Sequence, residues 1–489
     1  MQTPFGERLQ QWSADPRAPH AIVMPGRELS YAEFLGRVEG CARWLVIEGC
    51  LPGEIVGVTI SDELTNLTVT LALMVLGVPQ VCLPTHDPAP MRESMARRLA
   101  VNRIVSTRPE HALAGRTLSL ATPEALRTPS HLGPLIPMDA DPDATAHYFT
   151  SSGTTGEPKI IPMSQRLLAQ RAGHSNYAPD ERQLLLSTVE DFPARSARLR
   201  CAYMGRTSVL QRSESSPPES AQAICASHRV TRLDLGVLQA TGLAPDRPSS
   251  APFPAGMKIF ASGSRVPARL RDAFAGGGVA LYVEYGAREA SGISSTYPVD
   301  LDPSLETVGP PLPTAELEIV DGDGNALARG EIGEIRVRTT AMIHAYYGDP
   351  VATYRHFKDG WFHPGDLGSL TANGSLCLHG RADDMMNMNG IKIFPAEIER
   401  LLEGDPAVRA AAAFALPSSV HGDIPVAAVE LHDPATHSVA ALLAHARERL
   451  GVRAPRKIFV VDALPRNATG KVLKRELVSL LSQPNVRNE

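Results

Sequence analysis

No two of the six cysteines (Cys41, Cys50, Cys82, Cys201, Cys225, Cys377) form a CxxC pair, and none has a histidine partner at zinc-ligand spacing. This scatter offers no zinc-ligand spacing, and free core thiols in a reducing compartment are expected. A basic excess is also missing. The net charge is −5, which argues against nucleic acid as the main partner, since little charge is available to neutralise phosphates. The longest apolar stretch, Leu67 to Val78, stops at Pro79 and is too short to span a bilayer. Residues 1–8 lack the charged-then-apolar pattern of a signal peptide, so the expected location is the cytoplasm. What remains is ordinary globular composition, with 43% hydrophobic and 21% charged residues over 489 positions, enough chain for about three domains' worth of core.

The informative segment is Tyr148 to Pro162. After an apolar-aromatic approach come Thr150, Ser151, Ser152, Gly153, Thr154, Thr155, Gly156 and, behind Pro158, Lys159. The hydroxyls donate, the glycines allow backbone N–H groups to come close, and the lysine supplies charge, which together suit a triphosphate. The spacing is not that of the common nucleotide-binding loop. Gly153 to Lys159 does not match GxxxxGK[ST], and isoleucine follows the lysine.

Along the chain, Leu35, Val38, Cys41, Ala42 and Leu45 recur at helical spacing, Glu54 to Ile60 reads as a strand, Leu67 to Leu76 as a helix and Val78 to Leu83 as a buried strand. This predicts an α/β fold for the first part. Ala121 to Asp143, Ser213 to Ser220 and Pro245 to Gly256 read as loops. Near Ala315 the pattern changes to short β runs, Ala315 to Val320 and Gly333 to Arg338 about a turn at Asp321 to Asn325, which predicts a hairpin or small barrel. Helices are predicted over Ala396 to Leu402, Val439 to Leu450 and about Val472 to Leu481. The expected division is a large domain over 1–381 and a small α+β domain over 382–489.

Three further segments occur in order: Tyr285-Gly-Ala-Arg-Glu289, Trp361 to Asp366 with Gly380 to Asp384, and Pro465 to Lys471. With the phosphate segment they make the chain resemble, over essentially its whole length, the adenylate-forming superfamily of acyl-CoA synthetases, peptide-synthetase adenylation domains and luciferases. That resemblance implies an ATP- and Mg²⁺-dependent enzyme that joins a small carboxylic acid to AMP and then passes the acyl group to a thiol, on CoA or on a phosphopantetheinyl carrier protein. It implies that Thr150 to Lys159 grip the phosphates and that Glu289 helps hold Mg²⁺. Tyr285, with Gly286 beside it, would stack on adenine next to a wall of Ser262, Gly263 and Ser264. Asp366 and Arg381 would hold the ribose. Lys471 would bridge the carboxylate and the α-phosphate, offsetting the repulsion of two anions. Asp383 would be the hinge about which the small domain turns, exchanging Lys471 for the loop Met388 to Lys392.

Two positions depart from the family pattern. Arg288 and Pro364 stand where relatives carry threonine, and the arginine could replace a phosphate contact or face a substrate anion. The stretch Val189 to Arg198 is least family-like. Glu190 or Asp191 could meet an ammonium and Arg195 or Arg198 an anion, although a solvated loop is the favoured reading. Two rivals stay open beside the CoA ligase: a stand-alone enzyme loading an amino or aryl acid onto a carrier protein, and a non-catalytic nucleotide-binding scaffold.

Overall fold

The computed structural model describes residues 3–123, 126, 140–151, 158–174, 178–211, 220–244, 253–297, 306–418, 422–433, 438–466 and 470–481. Ser152, Gly153, Thr154, Thr155 and Gly156 lie outside the described residues, as does nearly all of the predicted loop over 213–220.

Two largely parallel sheets form the first part of the chain. One runs in the order Thr117–Leu120, Arg103–Ser106, Val56–Thr59, Gln80–Cys82, Thr145–Ser151 and Lys159–Ser164, with only the last pair antiparallel. The other has eight strands, and its parallel centre includes Arg182–Leu185, Arg232–Gly236, Lys258–Ser262 and Leu281–Ala287. Strands such as Val56–Thr59 and Thr207–Val209 are buried at every residue, as expected where helices cover both faces of a parallel sheet.

The helix Glu63–Val75 shows how this packing is specified. Asp62 caps it by accepting from the Thr65 amide at 2.8 Å, and every residue except Thr65 is buried. Burial on every side suits an element enclosed within a large core, and its interior polar side chains are partnered, Asn66 Nδ2 donating to the Ile60 carbonyl and the Thr68 hydroxyl to the Leu64 carbonyl. Its neighbour Tyr31–Ile47 begins with a capping box between Ser30 and Glu33 and packs in the same core.

An antiparallel sheet follows, in which Ala315–Val320 pairs with Gly333–Thr339 and Asp366–Leu370 with Leu376–Arg381. The last part is a separate sheet built on the long pair Val408–Ser418 and Gly422–Leu431, covered by Pro395–Glu403 and Val439–Leu450. The α/β fold with a small barrel-like part and a small α+β part is thus as expected. Among the described residues no helix is long and apolar enough to cross a membrane.

One expectation fails. Val189 to Arg198 is not a solvated loop: Phe192–Met204 is a helix, preceded by Asp191, with Pro193 in its first turn and the left-handed Gly205 at its end. Arg195 and Arg198 are 1% and 0% exposed. Arg198 pairs with Glu63 at 3.2 Å, and Arg195 donates to Asn66 Oδ1 at 2.9 Å. Each guanidinium also donates to a backbone carbonyl, Arg195 to Val189 and Arg198 to Gln183, both at 3.2 Å, and this partnering lets the charged residues be interior here.

Candidate functional site

Parallel strands collect their carboxyl ends on one rim, where ligands of open α/β sheets bind. Lys258–Ser262 ends there and delivers Gly263 and Ser264 into a cleft of about 620 Å³, lined also by Gly380, Arg381, Gly470 and Lys471. Leu281–Ala287 ends beside it with Tyr285. Gly286 follows where the hairpin register shifts, and a Cβ there would lie 2.5 Å from the Ser291 carbonyl oxygen.

The expected nucleoside residues converge. Asp366 and Arg381 are opposite each other across two antiparallel strands, and Arg381 Nη1 contacts Asp366 Oδ1 at 3.1 Å. The Tyr285 hydroxyl donates to Asp366 Oδ2 at 2.6 Å. Burial, reinforced by the Asp366 carboxylate, pushes the Tyr285 phenol well above its ordinary pKa, so it stays a neutral donor. Pro364 has lost an N–H, yet its carbonyl accepts from Arg381. Gly365 makes that geometry possible: its φ is +77°, and a Cβ would lie 2.8 Å from Arg381 Nη2. A side chain there would be strained and would displace the guanidinium.

The second group surrounds the phosphate hairpin, where Ser151 pairs with Lys159 and Thr150 with Ile160. Arg288 donates to the Thr150 carbonyl, and its guanidinium carbon lies 5.4 Å from the centre of the Phe192 ring. Burial lowers the Arg288 pKa, against the pull of Glu289 and Asp191. Glu289 is 9% exposed and accepts from the Tyr346 hydroxyl at 2.8 Å. One carboxylate oxygen is thus occupied, and among the described residues no three His, Cys, Asp or Glu side chains gather as a metal cage. Glu289 fits a Mg²⁺ that takes its other ligands from phosphate and water.

Three residues that the motifs did not flag complete this group. Arg171, 4% exposed, donates through Nε, Nη1 and Nη2 to the carbonyls of Ala341, Arg288 and Glu289, each at 2.9 Å. It fixes the backbone that carries Glu289. Lys159 Nζ lies 2.7 Å from His356 Nε2 and 5.0 Å from the centre of the Tyr346 ring. Burial lowers the Lys159 pKa, with Glu289 opposing the shift.

The acid-pocket candidates separate. Glu190 accepts from the Thr85 amide and hydroxyl, both at 2.7 Å, with His86 at 3.7 Å. Asp191 precedes the helix of Phe192, and burial raises its pKa.

The small domain brings Lys471 to the cleft. Gly470, at φ +85°, approaches Leu238 so closely that a Cβ would lie 2.7 Å from the Leu238 Cβ. Arg466 braces the turn by donating to the Gly470 carbonyl at 3.1 Å. Residues 389–392 of the alternative loop are exposed. Asp383 lies in the short turn Ala382–Asp384, 3.2 Å from Arg355. Across the seam, Glu306 meets both Arg265 and Arg400 at 2.9 Å, and Arg265 also reaches Glu403.

Known proteins are similar to this chain in sequence and fold. The sequence matches the model of the AMP-binding enzymes over residues 9–347 and that of the AMP-binding enzyme C-terminal domain over 397–471. It is 29% identical to the 2-succinylbenzoate–CoA ligase of Geobacillus kaustophilus, over 93% of this chain and 94% of that one. It is 30% identical to the indoleacetate–CoA ligase of Aromatoleum aromaticum, over 95% of each. Among solved structures it shares the fold of ATP-bound MatB from Rhodopseudomonas palustris, with a TM-score of 0.87, 24% identity and 98% of each chain covered. It also shares the fold of the amide bond synthetase McbA from Marinactinospora thermotolerans, with a TM-score of 0.86, 23% identity, and 97% of this chain and 99% of that one covered. Two family models matching in order, with relatives aligned over nearly the full length, show that the chain belongs to the AMP-binding enzyme family, within the adenylate-forming superfamily.

Proposed function

We propose that this protein makes the CoA thioester of a small carboxylic acid through an acyl-adenylate, using ATP and Mg²⁺, with the site residues assigned below. The broader class, an AMP-forming ligase that activates an acid and transfers it to a thiol, follows from family membership and from CoA ligases matching along more than nine-tenths of the chain. The observation that carries the assignment is the position of Lys471, which lines the same cleft as Arg381, Gly263 and Ser264.

In this reading Asp366 and Arg381 hold the ribose, with Tyr285 and the Ser262 to Ser264 turn beside the adenine. Lys159 and the Thr150 to Gly156 loop hold the β- and γ-phosphates. Glu289 supplies a carboxylate to Mg²⁺, which when bound neutralises phosphate charge. The acid lies against Phe192 and Arg288, where the phosphate strand meets the helix Phe192–Met204. Its carboxylate attacks the α-phosphorus, the bond to the bridging oxygen breaks, and pyrophosphate leaves. Lys471, between the two anions, offsets their repulsion where water is excluded.

Placing the boundary at 381/382, the small domain then turns about Asp383, withdrawing Lys471 and presenting Met388 to Lys392 to the thiol. In the structure Lys471 is at the cleft and most of that loop is in solvent, which suits the first half-reaction. The free cysteines fit a reducing compartment, and we place the protein in the cytoplasm.

Exchange of labelled pyrophosphate into ATP across a panel of carboxylic acids tests the reading, followed by CoA and carrier proteins as acceptors. Acid-dependent exchange with transfer to free CoA is expected. Transfer only to a carrier protein would favour the carrier-loading rival. ATP binding without exchange for any acid would favour the scaffold.

A further inference from the structure

Lys159 leaves the phosphate hairpin on a strand that also carries Thr150's partner, and its side chain does not extend into solvent. Its ammonium is 2.7 Å from His356 Nε2 and lies over the Tyr346 ring. His356 is at the end of the helix Pro350–His356, 197 residues further along the chain. The other ring nitrogen, Nδ1, lies 2.8 Å from the His363 carbonyl oxygen. A carbonyl can only accept, so Nδ1 carries the proton and Nε2 presents its lone pair to the lysine. Burial lowers the His356 pKa, and the nearby Lys159 charge adds to that effect. The geometry calls for a neutral imidazole, since a protonated Nε2 could not accept from the ammonium 2.7 Å away.

We propose that His356 is a positioning residue for Lys159, holding the ammonium in advance where the β- and γ-phosphates of ATP arrive. This rests on the ligase reading, in which Lys159 contacts those phosphates. A lysine loses much rotamer freedom on fixing its ammonium, and a side chain already ordered loses less on binding. The chemistry of the holder matters. An ionised carboxylate would compete with phosphate for the ammonium, whereas a neutral imidazole gives way to a polyanion. Glu289, the nearest strong anion, is engaged by Tyr346 instead, which leaves His356 as the holder. Arg355, adjacent in the helix, points to Asp383 at 3.2 Å, so this short helix spans the phosphate hairpin and the hinge turn.

The test compares MgATP with AMP, which lacks the β- and γ-phosphates, by calorimetric titration of full-length His356→Ala and His356→Gln. The alanine variant is expected to bind MgATP about tenfold more weakly, about 1.4 kcal/mol, with AMP affinity within about twofold of wild type. Glutamine keeps a neutral acceptor at similar reach and should restore most of the MgATP affinity. Equal loss of ATP and AMP would make His356 merely structural, and unchanged MgATP affinity or no rescue by glutamine would also overturn the inference. Pyrophosphate exchange by the wild type is read separately. Its presence with unaffected variants leaves the ligase reading intact, while its absence counts against that reading and not against the holder.

Discussion

Replacing Gly365 with alanine separates two costs that usually arrive together. The residue sits at φ +77°, and a Cβ would lie 2.8 Å from Arg381 Nη2 and 3.3 Å from Cζ. The backbone term is roughly 1–2 kcal/mol for a left-handed non-glycine residue, and it falls on stability. The steric term falls on the guanidinium, which must leave the Pro364 carbonyl and Asp366 Oδ1. It has little slack, since Arg381 Nε is already buried with no partner among the described residues. Hydrogen bonds to charged groups contribute about 1.5–3 kcal/mol. If Arg381 is thereby lost to the ribose, AMP affinity should fall by about ten- to a hundredfold. Gly324→Ala is the control: φ is +86°, and a Cβ there meets nothing within 4 Å. Both variants should lose a similar amount of thermal stability, and only Gly365→Ala should lose AMP binding in calorimetric titration. Wild-type affinity in Gly365→Ala, or an equal loss in Gly324→Ala, would refute the assignment of Arg381.

Two further outcomes are expected. His147 is 1% exposed with Nε2 unpartnered, and burial, with Arg195 adding, holds its pKa well below the ordinary value. The folded chain therefore binds fewer protons than the unfolded chain below about pH 6.5, and stability is lost as pH falls, by at most about 1.4 kcal/mol per unit. His147→Gln should lose less thermal midpoint than wild type between about pH 7.5 and 5.5, and identical pH profiles would contradict the buried neutral imidazole. Asp383→Pro should stall the hinge, so that pyrophosphate exchange survives while thioester formation drops at least about tenfold. Normal overall turnover would remove the mechanical role from Asp383.

That Tyr285, Asp366 and Arg381 belong together was legible because each sits in a short motif whose spacing survives in one sequence, and the structure does bring the three into contact. Ala315–Val320 and Val439–Leu450 were readable to the residue, since an alternating run and an amphipathic run each end at a glycine or a turn. The helix Phe192–Met204 was misread for a physical reason. Arg195 and Arg198, two arginines in four residues, look solvated, and only partners some 130 positions away, Asn66 and Glu63, show that they are interior. Local punctuation was nonetheless present, in Asp191 and Pro193 at its start and Gly205 at its end. Arg171 and His356 left no local signal. Their roles consist of hydrogen bonds to backbone carbonyls and to a lysine in distant segments, which hydrophobic period and motif spacing do not encode.

If the lysine of the small domain serves the first half-reaction alone, Lys471→Ala should separate the two half-reactions. With the acid that supports exchange in the wild type, both half-reactions are measured on the variant: pyrophosphate exchange, and thioester formation from supplied acyl-adenylate. Exchange should fall by at least about a hundredfold, with thioester formation staying within about threefold of wild type. Equal loss of both, or exchange at the wild-type rate, would contradict that role.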